Sequence, residues 1–145
     1  MNAVRAFFDT NILLYMYGGD DLFKTVTAKD LFFRHTRLNL ATLSTQVVQE
    51  FYAVGSCKLR MPRQQLIEAV ALLLNLPLVQ IDRGLIEAAI ETELRYRISF
   101  WDALILSAAE SAGAEIVFTE HLNHNQRYGS VTVRNPFRDS AVSPA

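Results

Sequence analysis

The chain has one cysteine, Cys57, in 145 residues. It can form neither an intramolecular disulfide nor a thiolate-held metal cluster, and such cysteine usage suits a reducing compartment. Long apolar runs are also missing: the longest, Ala69 to Leu74, is far short of the roughly 20 residues that cross a bilayer. Asp9 interrupts Ala6-Phe7-Phe8 before a signal-peptide core can form, so the expectation is a cytoplasmic protein with no membrane role. Charge of one sign is lacking as well, with fourteen Lys+Arg against fifteen Asp+Glu and a net charge of −1. A nucleic-acid partner would therefore need a local basic patch or bound cations, because bulk positive charge is absent. No repeat or internal linker is visible.

What is present is apolar material, at 50% hydrophobic and 20% charged residues with a mean hydropathy of +0.13. Such a composition excludes a disordered chain, which lacks the apolar surface to offset ordering entropy. The length fits one domain of about 150 residues, expected over 1–138, with a loose tail over 139–145.

Val4 to Phe8 reads as a strand, and the acidic turn Asp9-Thr10-Asn11 leads into a helix to Tyr17. A second helix is expected over Lys24 to His35 and a buried strand over Leu40 to Leu43. Ser44 or Thr45 then caps a helix from about Gln46 to Lys58. Pro62 suits the first position of a helix reaching about Asn75, where its missing N–H costs nothing. Leu78 to Ile81 is strand-like, and Asp82 caps a helix through Leu94. A last helix runs from about Ser99 to Ala112 and stops at Gly113. Ile116 to Phe118 and Val131 to Val133 read as strands, with a polar loop from Glu120 to Ser130 between them. Strands alternating with helices predict a three-layer α/β/α sandwich with a mainly parallel sheet, whose ligands settle outside the carboxyl ends of the strands.

The acidic residues matter most for function. On a helical wheel Asp102 lies among Ile98, Ile105, Leu106 and Ala109. A first-turn Asp favoured by the helix dipole accounts for its position along the helix but not for its inward direction, where a carboxylate must be paired, protonated or bound to a cation. Glu50 sits on the rim of its helix's apolar stripe beside Val47 and Val54, where rim charges are common on amphipathic helices and a solvated Glu is the ordinary reading, with a site residue as the other. Asp9 ends a strand and can cap the next helix or face the crevice; Glu120 likewise follows a strand. Three such acids meeting at about 5 Å would repel by about 3 kcal/mol per pair at an effective dielectric near 20. Only a cation would make that tolerable. An all-oxygen site suits Mg²⁺ or Mn²⁺, which clamp phosphate oxygens and activate water.

Phe8-Asp9-Thr10-Asn11-Ile12, Ser44-Thr45-Gln46-Val47-Val48-Gln49-Glu50-Phe51, Ser99-Phe100-Trp101-Asp102-Ala103-Leu104-Ile105 and Asn135-Pro136-Phe137, in this order and spacing, resemble a PIN domain of the VapBC toxin ribonuclease type. The resemblance covers nearly the whole chain. It implies that Asp9, Glu50 and Asp102 bind the catalytic Mg²⁺, with Mn²⁺ able to substitute, and that Thr10 and Asn11 orient Asp9 or the attacking water. It also implies RNA as substrate, cleavage leaving a 3′-hydroxyl and a 5′-phosphate, a homodimer, and an antitoxin that occludes the site. Related toxins often carry an Asp where this chain has His121, within Thr119-Glu120-His121-Leu122. Either Glu120 reaches the metal from one position earlier or the fourth acid is missing, and His121 could itself ligate Mn²⁺.

Lys58, Arg60 and Arg63 form a basic group past the Glu50 helix, and Arg95 and Arg97 precede the Asp102 helix. They suit phosphate contacts or an ordinary solvated face, as Tyr15 and Tyr17 suit base stacking or core packing. Two other functions compete with the metal nuclease. His121 and His124 could act as acid and base in a metal-independent ribonuclease. Alternatively, the acids are caps and ion-pair partners in a non-catalytic interaction module.

Overall fold

Phe7 and Phe8 are adjacent on one strand and both are fully buried. Consecutive strand side chains point to opposite faces, so this sheet is covered on both sides. The computed structural model describes residues 3–138; the tail expected over 139–145 lies outside them. The elements are β1 (Ala6–Phe8), α1 (Thr10–Tyr15), α2 (Leu22–Arg37), β2 (Ala41–Ser44), α3 (Thr45–Cys57), α4 (Arg63–Leu74), β3 (Leu78–Val79), α5 (Arg83–Tyr96), α6 (Phe100–Ser111), β4 (Ile116–Phe118), β5 (Arg127–Tyr128) and β6 (Val131–Arg134). The six strands form one sheet in the order β3-β2-β1-β4-β6-β5. All neighbours are parallel except β5 and β6. The α/β fold with a central, mostly parallel sheet flanked by helices is as the sequence predicts.

Local chemistry explains most element boundaries. Asp9, Asp21, Ser44, Asp82 and Ser99 each accept a backbone N–H at the start of a helix. The Asp21 cap starts α2 at Leu22, two residues before the expected start. Gly113 ends α6 with φ of +75°, a conformation that glycine adopts without strain. Pro62 stands one position earlier than expected: its ψ of 134° is extended, so it precedes α4 instead of opening it. Strand β5 lies inside the segment expected to be loop. It is only two residues long, too short to show a period, and it exists because Tyr128 is buried and paired with Val131. Among the described residues no helix is long and apolar enough to cross a membrane.

The strand order positions the site. From β1 the chain adds β2 and β3 on one side, while β4 lies on the other side of β1. The connections leaving the carboxyl ends of β1 and β4 therefore diverge and open a crevice. Asp9 follows β1 and Thr119 follows β4 directly, and the two strand ends are held together where the Asp9 N–H donates to the Phe118 carbonyl at 3.0 Å.

Candidate active site

Asp9 serves as a helix cap and as a wall of the crevice at once. One carboxylate oxygen, Oδ1, accepts the Thr10 N–H at 2.7 Å. The other, Oδ2, accepts the Thr119 hydroxyl at 2.8 Å and the Asn11 Nδ2 at 3.1 Å. Asn11 Oδ1 in turn accepts the Glu120 N–H at 3.3 Å, and Thr119 Oγ1 accepts the His121 N–H at 3.2 Å. Asp9 is thus fixed by both strand ends. Burial pushes its carboxyl above the ordinary carboxylate range; the hydrogen bonds from Thr119 and Thr10 and the nearness of His121 oppose the rise, and Glu50 adds to it.

Thr10 connects the first acid to the second. Its hydroxyl donates to Glu50 Oε1 at 2.8 Å, which holds a half-buried side chain from the middle of α3 against the start of α1. Asp102, also half-buried, stands in the first turn of α6 beneath the Ser99 cap. Its carboxylate makes no hydrogen bond or ion pair among the described residues.

Asp9, Glu50 and Asp102 line one cleft of about 230 Å³, together with Thr10, Asn11, Gln46, Trp101, Ile105 and His121. Residues far apart in sequence are brought together, and no lysine or arginine lines this wall. Among the described residues no three Asp, Glu, His or Cys side chains form a ready-made cage around one ion. Mg²⁺ commonly keeps several of its waters and takes only one or two carboxylates together with substrate phosphates, so a closed cage is not required. The donor set fits such an ion: hard oxygens, one pair of them on the buried Asp9 carboxyl, no lysine or arginine in the lining, and the Gln46 Oε1, a buried acceptor without a partner.

Glu120 is held elsewhere. It accepts the Tyr15 hydroxyl on Oε1 and the Lys24 ammonium on Oε2, the latter at 2.9 Å, and it does not line the cleft. His121 does. His124 does not; its Nδ1 accepts the Asn135 N–H at 2.9 Å, so only one histidine of the acid–base pair considered above faces the acids. Lys58, Arg60 and Arg63 are exposed beyond the carboxyl end of α3 and are not part of the cleft. The Tyr17 ring packs edge-on against Phe51, 5.5 Å between centroids, and Tyr15 lies against Phe137 at 5.2 Å, so both are partly buried side chains packed against the core. Sequence reading missed Thr119 and Gln46. A polar residue directly after a buried strand was the available sign for Thr119, and a position four before Glu50 on the same helical face was the sign for Gln46.

No curated protein sequence matches the chain. Solved structures do. A toxin–antitoxin complex from Klebsiella pneumoniae is 21% identical, over 90% of this chain and 97% of that one, with a TM-score of 0.66. Mycobacterium tuberculosis VapC20, a Sarcin-Ricin loop cleaving toxin, is 21% identical over 80% of this chain and 91% of that one, with a TM-score of 0.64. A DNA-bound VapBC from Salmonella typhimurium is 16% identical over 91% and 98%, again with a TM-score of 0.64. At these identities the likeness is one of fold. The family itself is shown in sequence, because residues 6–126 match the PIN domain: the chain belongs to the PIN domain family.

Proposed function

We propose that this protein is a divalent-metal-dependent endoribonuclease, the toxin of a toxin–antitoxin pair. One observation supports this reading above the others: three carboxylates, from the end of β1, from α3 and from α6, share a single cleft that no lysine or arginine lines. Asp9, Glu50 and Asp102 would hold Mg²⁺, or Mn²⁺ in its place. When bound, the ion would supply Lewis-acid polarisation of a phosphate oxygen and lower the pKa of a water.

The chain's own residues arrange the rest. Thr119, Asn11 and the Thr10 N–H hold the Asp9 carboxylate in one orientation. The Thr10 hydroxyl does the same for Glu50. With both carboxylates locked, their lone pairs are already aimed before a ligand arrives, which is where preorganised sites gain their rate. A water attacks phosphorus, the bond to the 3′ oxygen breaks, and that oxygen takes a proton to leave as a hydroxyl, with the phosphate retained on the 5′ side. RNA as substrate, an antitoxin as partner and a homodimer complete the reading. The family membership and the similar toxin–antitoxin complexes support the partner.

Asp102→Ala should abolish RNA cleavage and leave the far-UV circular dichroism unchanged, and excess EDTA should abolish cleavage by the wild type. Cleavage at the wild-type rate in EDTA would refute the metal reading and restore the histidine alternative.

A further inference from the structure

Gln46 and Glu50 are four residues apart on α3 and so share a face; both line the acidic cleft. Gln46 is only 6% exposed. Its Nε2 donates to the Trp101 carbonyl at 3.4 Å, and Trp101 immediately precedes Asp102. A backbone carbonyl can only accept, so the amide nitrogen must face it and the orientation of the side chain is settled by chemistry. Gln46 therefore ties the helix that carries Glu50 to the helix that carries Asp102. Its Oε1 is left buried and without a donor.

A buried carbonyl oxygen with no partner is uncommon in native proteins and calls for a group that completes it. The side chains nearest in function offer none: Glu50 and Asp102 are themselves acceptors when ionised. A cation supplies what all of them lack. An amide carbonyl is a hard, neutral oxygen of the kind that alkaline-earth ions take alongside carboxylates, and it adds to the coordination without adding to the repulsion among the acids. Resting on the metal-dependent reading above, we infer that Gln46 Oε1 is an oxygen ligand of the divalent ion held in this cleft, an addition to the three acids.

The test uses the full chain. Gln46→Met keeps the length and apolar volume of the side chain and removes the oxygen. Calorimetric titration with Mn²⁺ should show affinity reduced about tenfold or more, the scale on which loss of a supporting polar group weakens metal sites. That variant also loses the bond to Trp101, so a second measurement uses the wild type: Mg²⁺ titration followed by NMR at the Gln46 Cδ and the Asp102 amide. Both signals should move and saturate together. Wild-type Mn²⁺ affinity in Gln46→Met, or a Cδ that stays still while the Asp102 amide titrates, overturns the inference and leaves the metal reading standing. If neither signal moves and the wild type takes up no Mn²⁺, the metal reading itself falls.

Discussion

A buried carboxylate with no lysine or arginine in its cleft makes the metal-free protein sensitive to pH, and Asp9 is such a group. Its carboxyl is raised above the ordinary value of 3.8, chiefly by burial. The folded chain therefore holds that proton more tightly than the unfolded chain. The contribution of Asp9 to stability is most favourable below the unfolded value and is lost as pH rises from about 4 through the raised folded value. Urea midpoints of the wild type and Asp9→Asn, compared from about pH 4 to pH 8, should separate progressively in favour of the variant, and saturating Mn²⁺ should reverse the order; parallel curves would show that burial of Asp9 carries no such penalty. Asp102 offers a second test, since its half-buried carboxylate shares the cleft with the other two acids and makes no hydrogen bond or ion pair among the described residues. Asp102→Asn should raise the metal-free Tm by about 2–4 °C, the equivalent of about 1 kcal/mol in a domain of this size, and should remove the rise in Tm that Mn²⁺ gives the wild type. A lower Tm for this variant would mean that Asp102 is a structural cap.

The elements that carry these residues differ in how plainly the sequence announces them. Caps are local, so Asp9, Ser44, Asp82 and Ser99 mark their helices by residue type alone. Strand β5 is not local: Tyr128 belongs to a strand only because Val131 lies opposite it. The same limit applies to the site. That Asp102 faces inward follows from helical periodicity, but that it faces Asp9 and Glu50 follows from α6 packing across β2, β4 and β6, which one sequence does not contain. Glu120 shows the limit most clearly. Its place after β4 resembles that of a crevice acid, yet a salt bridge at 2.9 Å ties it to Lys24 of α2 and a hydrogen bond from the Tyr15 hydroxyl ties it to α1. Glu120→Gln should cost about 0.5–1 kcal/mol in urea unfolding, as expected for a partly exposed ion pair, and should leave Mn²⁺ affinity within about twofold of the wild type. An affinity loss as large as that of Asp102→Asn would show that Glu120 leaves Lys24 and enters the metal site.

At the scale of the whole molecule, the near-zero net charge sets how RNA can be held. A chain with net charge −1 whose proposed catalytic cleft is lined by acids repels phosphates there until cations bind, so any direct attraction must come from a separate basic surface. Lys58, Arg60 and Arg63 are placed for this role, all exposed, Lys58 and Arg60 in the turn that follows the helix carrying Glu50 and Arg63 at the start of α4. Among the described residues Arg63 makes a long contact of 3.5 Å to the Tyr52 hydroxyl and none of the three is in an ion pair, which leaves the charges available to phosphate. Each phosphate contact to single-stranded RNA contributes about −0.7 to the slope of log K against log salt concentration. Replacing all three residues with glutamine should therefore flatten that slope by about 2 and weaken RNA binding at low salt. Mn²⁺ affinity and Tm should stay at wild-type values, because none of the three touches the acids. Filter binding of an Asp102→Ala background, which holds RNA without cutting it, gives the slope directly. An unchanged slope would return these residues to an ordinary solvated face and shift the search to Arg95 and Arg97, which flank the Asp102 helix.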